Sequence, residues 1–177
     1  MPKSQKLTVH QVQVVVNRQL FLKAINTINA KDKFKDDMKN ILVLCTGNSC
    51  RSQIAHGYLA SMTAGKANVY SAGVETHGVN PKAIATMKED GIDISNHTSN
   101  NITEYFDVDF DYVITVCDHA KERCPYFPTK AQKFHYNFPD PAKAKGTEEE
   151  ISNEFKLVRE MIKKYCEAFV KENYLWS

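Results

Sequence analysis

From about residue 39 onward, the chain alternates short runs of apolar and β-branched residues with longer stretches in which apolar positions recur every three or four residues. The runs Ile41 to Cys45, Val69 to Ala72, Tyr112 to Cys117 and Lys133 to Phe138 have the length and composition of buried strands. Ser52 to Ala64 places Ile54, Ala55, Tyr58, Leu59 and Met62 at helical spacing, Pro81 opens a second helix to about Asp90, and Ile151 to Val170 is a long amphipathic pattern. Strand and helix in alternation predict an α/β fold, a parallel sheet with helices on both faces, and so a three-layer sandwich. The first 37 residues stand apart from this scheme. Val9, Val12, Val16 and Leu20 could make one helix face, blurred by Val15, Leu22 and Ile25, and Asn26 to Asp37 is polar and lysine-rich. We expect residues 1–37 to be an N-terminal extension without catalytic work, on a domain spanning 38–177; the alternative is a helix over that face that packs on the domain or mediates self-association.

Directly after the first run stands Cys45-Thr-Gly-Asn-Ser-Cys-Arg51, a cysteine and an arginine with five residues between them, leading into the first helix. A strand–loop–helix in this order turns successive backbone N–H groups inward and adds the positive end of a helix. Thr46, Gly47, Asn48, Ser49, Cys50 and Arg51 are therefore expected to cradle a tetrahedral oxyanion. An ordinary thiol is only a few per cent ionised at neutral pH, and loop N–H groups with a helix N-terminus lower its pKa by ~1 to 5 units. That makes Cys45 a candidate nucleophile. Arg51 presents a planar fork to two oxygens and never loses its charge. The Ser52 hydroxyl can donate to the Cys45 thiolate, Gly47 permits close backbone approach, and Asn48 can brace a positive-φ turn. Cys50 reads as a small buried hydrophobe that lends only its backbone.

A second cluster follows the third strand, where Cys117 and Cys124 have six residues between them and share the sheet edge with Cys45. A zinc knuckle spaces its cysteines more closely, by two to four residues, so a site made of Cys45, Cys50, Cys117 and Cys124 is disfavoured. His77 and His97 fall in loops, His119 between the two cysteines and His135 on a strand, with no paired metal spacing. Cys166 lies on the apolar face of the last helix and reads as core. Asp140, flanked by Pro139 and Pro141, has a restricted backbone and a defined aim, suited either to a general acid or to a turn cap.

Composition narrows the setting. The chain has 177 residues, 42% of them apolar, and a formal net charge of +2, which suits one domain with a substantial core and gives no basic excess for nucleic acid or an anionic membrane. Its apolar stretches are far shorter than the ~18 residues of a membrane span. Five cysteines, an odd number placed around an anion loop, point to reactive thiols in a reducing compartment, and the cytoplasm is expected. No metal or organic cofactor is expected.

The loop Cys45-Thr-Gly-Asn-Ser-Cys-Arg-Ser-Gln53 resembles the signature of the low-molecular-weight tyrosine phosphatase superfamily, and within it the thioredoxin-coupled arsenate reductase branch. Phosphatases usually carry proline where this chain has Gln53. The similarity runs from about Lys39 to Phe169 and includes Tyr70-Ser-Ala-Gly73, Thr76-His-Gly-Val-Asn-Pro81 and Asp93-Ile-Ser-Asn-His-Thr98. It implies a single-domain, low-molecular-weight-phosphatase-like fold on a four-stranded parallel sheet.

The resemblance also implies a relay in which Cys45 attacks arsenate, Asp140 protonates the departing oxygen, Cys117 attacks Cys45 to release arsenite, and Cys124 moves the disulfide to Cys117–Cys124 for thioredoxin to reduce. Asp118 to Arg123 would then have to loop out, and is expected to be the mobile part. Phosphate and sulfate are expected analogues. The alternatives are a phosphotyrosine or small phosphomonoester hydrolase, and a redox or binding protein without turnover. Asp140-Pro-Ala142 lacks the tyrosine that commonly follows in phosphatases, which favours a small inorganic oxyanion. Some reductases hold potassium beside the loop. This chain keeps Asn48, Ser71 and Thr98 but has His56 and Asn100 where the ion-binding members carry carboxylates, so little or no potassium stimulation is expected.

Overall fold

The computed structural model describes residues 38–117 and 130–176. The expectations placed on residues 1–37, on His119, on Cys124 and on the segment 118–123 fall outside the described residues.

Among the described residues, four strands form one parallel sheet: β1 (Lys39–Cys45), β2 (Ala67–Gly73), β3 (Tyr112–Thr115) and β4 (Gln132–His135), in the order β2-β1-β3-β4. Three α-helices accompany it: α1 (Arg51–Met62), α2 (Pro81–Glu89) and α3 (Glu148–Glu172). The expected α/β class, built on a four-stranded parallel sheet, is what the described residues adopt. β1 sits between two partners, and its residues Ile41 to Cys45 are all buried, which explains why it reads as an unbroken apolar run. Because β2 lies on one side of β1 and β3 on the other, the order reverses at the β1–β3 boundary. That reversal opens a crevice beyond the carboxyl ends of these two strands.

Alternation along β1 sorts its side chains between two cores. Ile41, Val43 and Cys45 join Ile54, Tyr58 and Leu59 of α1, Met87 of α2, and Val158, Ile162, Cys166 and Phe169 of α3. Leu42 and Leu44 face the other way, onto Ala72, Ile102, Phe110 and Val113, with Tyr70 and Tyr105 packed alongside. The two faces are covered unequally. All three described α-helices serve the first core, whereas a 3-10 turn at Ile102–Tyr105 and an edge-to-face cluster of Tyr70, Tyr105 and Phe110 serve the second.

The helix ends follow local chemistry. Asn80 caps α2 by accepting from the Lys82 N–H, with Pro81 in the first turn. α3 starts three residues before its apolar stripe, because Thr147 and Glu150 close a capping box and Glu148 to Glu150 complement the helix dipole. α1 differs from both, since its N-terminus at Cys50 carries no side-chain cap. β3 and β4 are shorter than their apolar runs, and beyond Thr115 and His135 the chains stay linked through Val116 N to Leu44 O and Tyr136 N to Thr115 O.

One glycine fixes the distance between sheet and loop. Gly73 pairs with Cys45 in the β1–β2 register, and a Cβ there would lie 2.3 Å from the Glu75 carbonyl, 2.6 Å from that of Thr46 and 2.8 Å from the Asn48 nitrogen. These are backbone atoms with no rotamer to change. Gly73→Ala is expected to cost ~1–3 kcal/mol as an overpacking change. Urea unfolding would show it as a lower midpoint at unchanged slope, and an unaltered midpoint would contradict it.

Candidate active site

The loop after β1 is held from outside by its carbonyl groups. The Thr46 carbonyl accepts from Glu75 N at 2.9 Å, Gly47 from His77 N at 3.1 Å and Ser99 Oγ at 3.2 Å, and Ser49 from Asn80 N at 2.9 Å. Asn48 O accepts from Gln53 Nε2 at 3.0 Å, and Cys50 O begins the helical ladder with Ile54 N. All peptide bonds among the described residues are trans, so a carbonyl drawn outward sends the following N–H the opposite way. The uncapped end of α1 adds its first-turn donors to the same concavity.

Asn48 is the keystone of the turn. It is fully buried with φ of 44°, the left-handed conformation expected of it. Its side chain donates to Ser52 Oγ at 3.1 Å and accepts from Asn100 N at 2.8 Å and Gln53 Nε2 at 3.0 Å. Gln53 also donates to Thr98 O at 2.9 Å, while its own oxygen meets His97 Nδ1 at 3.0 Å. Ser52 is fully buried and accepts from Asn48, so its O–H hydrogen is left to donate elsewhere. Gln53, Thr98, Ser99 and Asn100 were not foreseen as supports, because that role depends on a segment more than forty residues away.

Arg51 and Asp140 meet. Arg51 Nη1 donates to Phe138 O at 3.0 Å and Nη2 to Asp140 Oδ2 at 3.0 Å, with the two side chains 11% and 23% exposed. Asp140 Oδ1 accepts from Ala142 N at 3.2 Å as the cap of a short 3-10 turn, Pro141–Lys143. Asp140 is thus a cap and an ion-pair partner together, with both oxygens accepting. Arg51 Nε is buried and has no hydrogen-bond partner among the described residues, which is costly unless a ligand acceptor serves it.

Cys45 and Cys117 come together at the floor. The sequence places them seventy-two residues apart, yet their sulfurs are 3.8 Å apart, a thiol–thiol hydrogen bond. Cys45 is 5% and Cys117 2% exposed, and Thr46 Oγ1 lies 3.4 Å from the Cys117 sulfur. The plain lowering of the Cys45 pKa expected from the loop needs correction. The Cys117 thiol, and after it burial, push Cys45 above its ordinary range, while Arg51 and the Thr46 N–H pull it down. Two touching thiols titrate as a pair, and the second proton leaves only by setting like charges side by side. Cys50 is buried in the main core, its thiol pushed up to about 12 mainly by burial, and Cys166 packs against the Ala55 carbonyl.

The family model for low molecular weight phosphotyrosine protein phosphatase matches residues 40–174. The chain belongs to that family. A protein of Halalkalibacterium halodurans named arsenate reductase is 47% identical over 133 residues, covering 75% of this chain and 96% of its own. One of Staphylococcus aureus strain Newman, with the same name, is 50% identical over 131 residues, covering 74% and 95%. A solved structure described as an arsenate reductase in the phosphate binding state superposes with a TM-score of 0.62 at 33% identity, covering 76% of this chain and 98% of its own.

Position 56, where the resemblance raised the question of a potassium site, carries a ring engaged by its neighbours. His56 Nδ1 is 3.0 Å from Ser71 Oγ, its ring stacks 4.4 Å from that of His97, and burial followed by His97 lowers its pKa to about 4. It is therefore a neutral ring at neutral pH. The Asn100 side chain accepts from Thr98 Oγ1 at 2.7 Å and donates to Glu104 at 2.7 Å, and Thr98 O is taken by Gln53. The oxygens serve one another, with no carboxylate at positions 56 and 100.

His56 carries a pH consequence. Its folded pKa lies below its ordinary 6.5, so the unfolded chain binds the proton first. Its contribution to stability is complete above pH 6.5 and is lost as pH falls toward about 4. The urea midpoint is expected to fall across that window, and to fall less in His56→Gln, where the contribution of His56 is gone and that of His97, also lowered by burial, remains. An identical pH profile in the variant would refute the assignment.

Proposed function

We propose that this chain reduces arsenate to arsenite through a relay of Cys45, Cys117 and Cys124, recycled by thioredoxin in the cytoplasm. The observation that carries the reading is the pair of sulfurs 3.8 Å apart beneath an oxyanion loop. A phosphatase attacks phosphorus with one thiol and regenerates it with water. A reductase must supply an electron pair, and two thiols becoming a disulfide supply it. The arsenate reductases among the relatives support the choice of substrate.

Loop N–H groups and Arg51 hold the arsenate dianion. A doubly charged anion offers the Arg51 fork two oxygens where Asp140 offers one, so binding draws Arg51 from Asp140. Asp140 then takes up a proton and serves as acid, its aim kept by the Ala142 N–H. The Cys45 thiolate forms a sulfur–arsenic bond while an arsenic–oxygen bond breaks, and the oxygen leaves as water with the Asp140 proton. The Cys117 thiolate next attacks the Cys45 sulfur. The sulfur–arsenic bond breaks with its electron pair left on arsenic, which departs as trivalent arsenite, and a Cys45–Cys117 disulfide remains. Cys124 attacks Cys117 and frees the Cys45 thiolate, and the thioredoxin dithiol then reduces Cys117–Cys124 while becoming a disulfide itself.

The test is arsenate-dependent NADPH oxidation with thioredoxin and thioredoxin reductase, beside hydrolysis of para-nitrophenyl phosphate. Native protein is expected to turn over arsenate many times and the phosphomonoester slowly. Cys117→Ser should bring the coupled reaction to background while sparing the hydrolysis. No arsenate-dependent NADPH oxidation by native protein would overturn the proposal.

A further inference from the structure

The reduced Cys45–Cys117 pair has a second chemical property that needs no electron transfer. A central atom making bonds of ~2.3 Å to sulfur, as zinc does, spans 3.8 Å at close to the tetrahedral angle. A soft centre with two exchangeable oxygens therefore fits between these sulfurs with little movement, and soft centres prefer thiolate ligands. Both thiols are buried on neighbouring strand ends at the reversal of the sheet, so their separation is preorganised. Arg51 lies near enough to bias the Cys45 thiol, and its buried Nε is without a partner among the described residues, available to an oxygen on that centre.

We propose that Cys45 and Cys117 form a chelating site for trivalent arsenic, so that arsenite binds the reduced resting protein as a bidentate dithiolate. The step is a condensation: arsenous acid and two thiols give two sulfur–arsenic bonds, lose two arsenic–oxygen bonds and release two waters. Arsenic remains trivalent and nothing is oxidised. The third oxygen stays on arsenic and accepts from Arg51 Nε. Once one sulfur is attached, the other acts as an intramolecular ligand at high effective concentration, so the pair binds far better than either thiol alone. The site rests on the geometry of the reduced pair and exists whether or not the chain turns over arsenate. If it does, arsenite occupies the attacking thiol and the resolving one together, and inhibition is competitive with arsenate.

The test uses the full chain, reduced and freed of reductant, titrated with sodium arsenite under native mass spectrometry, with thiols counted by a chromogenic disulfide. One arsenic per chain is expected, with two thiols lost to the reagent. Cys45→Ser and Cys117→Ser should each weaken binding by about tenfold or more, while Cys124→Ser should bind arsenite as the native chain does. Loss of a single thiol, or two-thiol binding that survives Cys45→Ser and vanishes in Cys124→Ser, would overturn the proposal. Coupled arsenate turnover measured in parallel separates the two readings. Turnover without chelation removes only this inference, and chelation without turnover removes only the functional one.

Discussion

The site depends on where five consecutive carbonyl groups point. From Thr46 to Cys50, each carbonyl is engaged by a donor outside the concavity: three amides of the segment 75–80, one side-chain amide, a hydroxyl shared with one of those amides, and the first bond of α1. A peptide plane cannot send its N–H the same way as its C=O, so fixing the oxygens aims the nitrogens. The anion site is made by satisfying the atoms that do not touch the anion. Reorganising these dipoles during a reaction would be costly, and here they are set beforehand.

This explains why the loop needs so much of the chain. The segment carrying Glu75, His77 and Asn80 must follow β2, and β2 must lie against β1, for the amides to arrive in register. Gly73 is the closest point of that arrangement, with backbone on three sides. On the far side of β1, the hydrogen bond from Val116 N to Leu44 O carries β3's chain one step beyond the strand and delivers Cys117 beside Cys45. One central strand thus brings the support of the loop from one neighbour and the second thiol from the other.

Much of this was legible in the sequence, for identifiable reasons. Apolar runs marked the strands because a central parallel strand is buried on both faces, and Asn48 was recognisable as a positive-φ brace because few residues tolerate that conformation. The start of α3 was placed late, since apolar periodicity cannot see a polar first turn, although Thr147 and Glu150 spell a capping box. The state of Cys45 was misjudged because a loop motif displays the groups that lower a thiol's pKa, and the opposing thiol comes from another strand. Gln53 was noticed as a departure from the phosphatase pattern, yet its bonds to Thr98 and His97 follow only from tertiary placement.

The ion pair between Arg51 and Asp140 has a consequence for selectivity. At rest the arginine already holds a singly charged carboxylate, tethered to the same wall and present at high local concentration. Any visiting anion must outcompete that internal rival. A monovalent ion such as chloride offers the guanidinium nothing better than what it has, whereas a tetrahedral dianion offers two oxygens and more charge. The resting pair thus sets a threshold at Arg51 that rises as the charge and the number of oxygens of the visitor fall.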